Sequence, residues 1–184
     1  MPLRLRRRSA RPARPGAARN LLRATEGSAA VEFGMVALPF VLMMYAILEL
    51  GIVFVTDSVL ENATIETGRL VRTGQASAQS MTAATFKTSL CGRMSIFSAD
   101  CASRATVDVR VIPQFDTTPP DPMAGGTFDN GAVTYSNGAP GDLVLVRVWY
   151  RQPLLTTFLA QGLSRMNDGA AMLTATTAFR NEPA

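Results

Sequence analysis

The longest uninterrupted pattern in the chain is an apolar run from Phe33 to Val55, broken by one charge, Glu49. As an α-helix rising about 1.5 Å per residue, its 23 positions cover about 34 Å, enough for a hydrocarbon core about 30 Å thick. The run therefore predicts one membrane-crossing helix. Pro39 lies inside it and predicts a kink, with neighbouring helices or the local backbone satisfying the carbonyl it frees. Past the run, Asp57 to Gln75 holds few helix breakers, and Val55, Val59, Ala63 and Leu70 recur at roughly helical spacing. The helix is expected to extend from Ser28 to Arg72, about 67 Å in length. Gly68 weakens that extension, and Gly74 is its expected end.

The pattern then shortens. Gln75 to Ser80 reads as a small polar linker. Met81 to Phe97 reads as a second, shorter helix with Phe86, Leu90 and Met94 on one face. From Ala105 to Phe115 the alternation is strict, Val107, Val109 and Val111 against Asp108 and Arg110, which predicts a half-buried strand ending near Pro113. Residues 117–141 form a long loop rich in Pro, Gly, Asp and Asn. Asp142 to Arg151 is the strongest strand signal. It is apolar on most of both faces, as a central or covered strand would be. Leu154 to Arg165 reads as a short helix or hydrophobic loop, and Ala170 to Arg180 as a last strand with Leu173, Ala175, Thr177 and Phe179 on one side. The expected fold class is α+β: a long N-terminal transmembrane helix, then a small domain of about three antiparallel strands and a short helix.

Charge sharpens this division. Residues 1–27 carry eight Arg and Glu26, for a net +7, whereas residues 28–184 carry ten basic against thirteen acidic side chains, for a net −3. The basic character thus belongs to the segment before the helix. A basic N-terminus can serve nucleic acid, but arginines next to an apolar span more simply hold that end in the cytoplasm and send the C-terminal domain outside. Pro12, Pro15 and Gly16 argue against a stable helix among the arginines.

Few residues offer chemistry. The chain has no histidine, which excludes Ser-His and Cys-His nucleophilic pairs and His-containing metal sites. Cys91 and Cys101 both follow the span; a disulfide suits an oxidising compartment, with two buried thiols as the alternative. Asp116, Asp121 and Asp129 offer oxygen ligands for calcium, but their spacing matches no compact loop, and solvated turns account for them. Gly125-Gly126 lacks the Lys-Ser/Thr of a phosphate-cradling loop. No catalytic constellation, cofactor or metal is expected. Glu32 is a natural partner for a helix start, yet it directly precedes the apolar run, and an ionised acid at a bilayer centre costs about 2.5–3.5 kcal/mol. Glu49 stands toward the far end of the run, either at the headgroup level or facing a partner helix.

No convincing Ala-x-Ala site follows the apolar run, as a conventional secretory signal requires. Gly27-Ser28 instead precedes it, followed by Ala-Ala-Val-Glu32-Phe33. These residues resemble a type IV prepilin processing site, in which a small residue precedes the cut and a glutamate is fifth in the mature chain. The aromatic Phe33 after Glu32 resembles the tight-adherence (Flp) branch. Ser28 to Phe40, Glu49-Leu-Gly and Leu60-Glu-Asn-Ala are similar to the TadE-like pseudopilins, over about residues 26–72. The resemblance implies a basic leader (residues 1–27) removed at Gly27 by an aspartyl prepilin peptidase, a membrane helix with its extension (28–75), and a periplasmic α+β domain (76–184). It implies that Glu32 pairs with a mature N-terminal amine during assembly with other pilins, pseudopilins and inner-membrane assembly proteins. The expected place is the bacterial inner membrane, N-terminus cytoplasmic and domain periplasmic, as a minor component of a tight-adherence pilus or secretion machine. A signal-anchored periplasmic binding or sensory module is the alternative; it would keep its leader.

Overall fold

The computed structural model describes residues 26–183. The arginines of the leader therefore lie outside the described residues. The first element, α1 (Glu26–Arg72), is one helix that runs through Pro39. Contacts divide the chain within it, one unit ending at Met43 and the other beginning at Met44.

In the first unit the helix from Phe33 on is apolar all round and covered by nothing described. Val31, Phe33, Met35, Val36, Leu38 and Phe40 are all exposed. A helix satisfies its own backbone, so such a surface is stable in a solvent that is itself apolar. Of the most apolar stretch of α1 only 11% is buried, unlike the core helix of a soluble protein.

In the second unit the same helix acquires a buried stripe: Glu49, Val53, Thr56, Leu60, Ala63, Thr64, Thr67 and Val71. Steps of three and four residues keep these positions on one face. Of the apolar residues at helical spacing, Ala63 is buried, whereas Val55 is exposed and Val53 is buried instead. The three threonines lose no hydrogen bond on burial, because each hydroxyl donates to the carbonyl four residues back, at Ile52, Leu60 and Ala63. Gly68 has a packing reason: a Cβ there would come within 3.2 Å of Phe179 and Thr177 on the last strand. Gly74, with φ of 74°, ends the helix in the left-handed conformation that glycine adopts without strain.

The linker expected over residues 75–80 contains one helical turn, α2 (Gln75–Ala78), with Ala76 in the core. The helix expected over 81–97 is shorter. Thr82 and Thr85 cap each other's backbone at the start of α3 (Ala83–Gly92), a 3-10 turn covers Ser95–Phe97, and α4 (Ser98–Arg104) follows. Phe86, Leu90 and Met94 are nonetheless all buried. A Cys91–Cys101 disulfide ties α3 to α4.

Three strands complete the domain: β1 (Ala105–Ile112), β2 (Leu143–Gln152) and β3 (Ala171–Arg180), with α5 (Thr157–Leu163) between the last two. They form one antiparallel sheet in the order β1-β2-β3. In register, Val107 faces Val148 and Val109 faces Val146, while Val146 faces Thr177 and Val148 faces Ala175. This face, with Leu60, Ala63, Phe86, Leu90 and Tyr150, makes the core. The α+β architecture is as the alternation implies. The expectation that β1 is half-buried is corrected: Asp108, on its other face, has 0% exposure. Part of the long loop folds over that face, and Tyr135 bridges to Val109 at the sheet edge.

Candidate functional site

Gly27, Ser28, Glu32 and Phe33 occupy the first two turns of α1 and are all exposed. Open space surrounds the position a Gly27 Cβ would take. The Ser28 hydroxyl donates to Glu32 Oε1 at 3.1 Å, an i to i+4 contact along the helix. Geometry therefore puts the carboxylate one turn from residue 28, where the partial positive charge of a helix start favours an anion. The arrangement can bind a cation or an amine. It brings together no nucleophile and base.

Glu49 is used differently. It is buried, and both carboxylate oxygens accept hydrogen bonds from the segment that enters α5. Oε1 accepts from the Leu155 amide, while Oε2 accepts from the Thr156 amide at 2.9 Å and the Thr156 hydroxyl at 2.5 Å. Leu155 and Thr156 precede the helix, where amides lack intrahelical acceptors. From sequence, Glu49 was assigned either to the headgroup level or to a partner helix; the structure gives it an acceptor role within its own chain. Nothing in the linear sequence pairs it with residues so far away.

The buried pair behind the sheet was also missed. Asp108 and Arg147 are direct cross-strand neighbours. Asp108 Oδ2 accepts from Arg147 Nη2 at 2.9 Å, and Oδ1 accepts from Arg110 Nη2 at 2.6 Å and the Thr134 amide at 2.8 Å. The arginines also reach the loop, donating to the carbonyls of Pro120 and Ala132. Arg147 stacks 4.8 Å from the centre of Trp149, which meets Phe128 edge to face. A buried carboxylate between two guanidinium groups, fully hydrogen-bonded, pins a loop rather than a substrate. The signal was present: one acid and two arginines on the same face of paired strands.

The loop aspartates serve locally. Asp121 accepts from the Met123 amide and Asp129 from the Gly131 amide, both turn contacts. Among the described residues no group of three or more His, Cys, Asp or Glu is placed to hold a metal. On the exposed surface Arg151 bonds Asp168 at 2.5 Å; that bond, helped by the Ala170 amide, holds the Asp168 carboxyl below its ordinary range. Burial pushes the Tyr135 hydroxyl up to about 12, so it stays neutral.

Residues 27–69 match the family model described as TadE-like protein, a family of pilus components. The match opens at Gly27 and closes just before α1 ends. No curated protein and no solved structure matches the chain. A single exposed apolar helix together with this family fits a membrane-anchored protein with a role related to the Tad pilus. Over the helix that carries Gly27, Glu32 and Glu49, the chain is similar to the TadE-like proteins of the Tad pilus system.

Proposed function

We propose that the chain acts as a minor pseudopilin of a tight-adherence pilus or secretion machine. A prepilin peptidase cuts between Gly27 and Ser28 at the cytoplasmic face, using aspartates of its own. The arginines leave with the leader and α1 stays in the inner membrane. The new α-amine of Ser28 then lies one turn from Glu32. Assembly pairs that carboxylate with an amine, its own or a neighbouring subunit's, and places the domain in the periplasm among other pilins, pseudopilins and inner-membrane assembly proteins.

The observation that carries this reading is the coincidence at the start of α1. The family match opens at Gly27, an exposed residue with open space around it, and Glu32 already holds the side chain of Ser28. Neutralising the acid by ion pairing explains why it precedes a lipid-facing run at all. N-terminal sequencing of the membrane-bound protein tests the cut. Ser28 is the expected first residue in cells containing the peptidase, and an intact leader in those cells overturns the proposal.

A further inference from the structure

Residues 152–164 contain no charged side chain, and Arg151 and Arg165 bracket them. Within this stretch Leu155 is 90% exposed and Phe158 75%, the former the highest value among the exposed large apolar residues. With Leu163, also exposed, this puts three exposed large apolar side chains within residues 155–163. The segment is hung from α1 by Glu49, whose carboxylate takes the amides of Leu155 and Thr156. Beside that anchor, Leu50, Phe158, Leu159 and Leu163 line an open groove of about 450 Å³. Just before Glu49 on the same helix, Ile47 and Leu48 are also exposed. From Ser28 to Leu48 the helix is about 30 Å long, already one hydrocarbon core.

We propose that residues 153–163 lie in the bilayer surface on the domain's side, as an interfacial helix that marks where the membrane ends along α1. Leu155 and Phe158 enter the acyl boundary, and Arg165 meets lipid phosphates, while Arg151 stays paired with Asp168. Glu49 makes this possible, because amides ahead of a short helix need an acceptor where water is scarce. The hydrocarbon boundary then falls near Glu49, and the exposed Ile52, Phe54 and Val55 beyond it lie at the headgroup level. A protein partner is the other candidate occupant, but continuity with the membrane-crossing helix and the absence of charge favour lipid. The inference rests on α1 being a membrane anchor and is independent of pilus assembly.

The test is quenching by lipids brominated in their acyl chains. Full-length protein is reconstituted in phosphatidylcholine and phosphatidylglycerol vesicles, with and without the brominated lipid. The chain has one tryptophan, Trp149, buried behind the loop and so an internal reference. Phe158→Trp, at an exposed site, adds the reporter; Leu42→Trp, in the membrane run, reports the anchor. Expected is loss of most of the added emission in both variants, with that of the parent protein nearly unchanged. Quenching of Leu42→Trp without Phe158→Trp overturns the interfacial helix and leaves the anchor intact. Quenching of neither overturns the anchor and the inference with it.

Discussion

Glu32 and Glu49 stand seventeen positions apart on the same helix, each beside apolar residues. Glu32 is exposed, and the described contact of its carboxylate is a serine one turn away. Glu49 is buried, and three donors from the entry to α5 converge on it. Side chain and surroundings are alike in sequence; what differs is whether the fold brings donors. A carboxylate that the chain satisfies itself becomes structure. One left at a helix start is available to another group. Asp108 extends the first case, as a carboxylate with 0% exposure held by two guanidinium groups and an amide.

If that distinction holds, substitutions should separate by effect on unfolding of the full chain in detergent. Asp108→Ala has the largest expected effect. It strands Arg147 and Arg110 beside an empty site and releases the loop, a change that costs about 3–5 kcal/mol when a buried pair is broken. A loss under 1 kcal/mol in denaturant titration would mean that the pair is solvated. Glu49→Ala comes next. Two amides lose their acceptor, costing about 1–3 kcal/mol, and hydrogen exchange at Leu155 and Thr156 should rise well before that of the sheet. Unchanged exchange there would place Glu49 with Glu32 rather than opposite it.

Asp168 provides a smaller, surface case. Its folded pKa is depressed by Arg151 and the Ala170 amide, so it binds protons less readily folded than unfolded. The stability it contributes is therefore complete above the unfolded carboxylate range and is lost as pH falls through the folded value. Because the pair is exposed, Asp168→Asn should cost at most about 1 kcal/mol near neutrality and should flatten the acid side of the stability profile. Glu32→Ala closes the series. It should move domain unfolding by less than about 0.5 kcal/mol, leave membrane insertion intact, and yet reduce incorporation into the assembled pilus machinery. Normal incorporation would remove the proposed role of Glu32.

Much of the fold was legible in local pattern. Alternation at Val107, Val109 and Val111 and along Val144 to Tyr150 located the strands within a residue or two. Period two is imposed by the pleat and needs no knowledge of partners. Helix faces were read less well. The apolar spacing runs through Val55, whereas the buried face runs through Thr56, Thr64 and Thr67. These threonines are cheap to bury once the hydroxyl bonds its own helix. The helix expected over 81–97 divided, because left-handed Ser95 and a turn intervene before the disulfide closes.

The sequence by itself determined the membrane-length helix, the motif from Gly27 to Phe33, the strand number and the cysteine spacing. All of these depend on neighbours within one or two turns, or on composition. Tertiary structure alone decided that Glu49 accepts from residues 155 and 156, that Asp108 lies under a folded-over loop, and that Gly68 stays bare against Phe179 and Thr177. The physical reason is the same in each case. Whether a polar atom is satisfied, or a surface covered, depends on groups that chain connectivity leaves far apart and packing brings within a few ångströms.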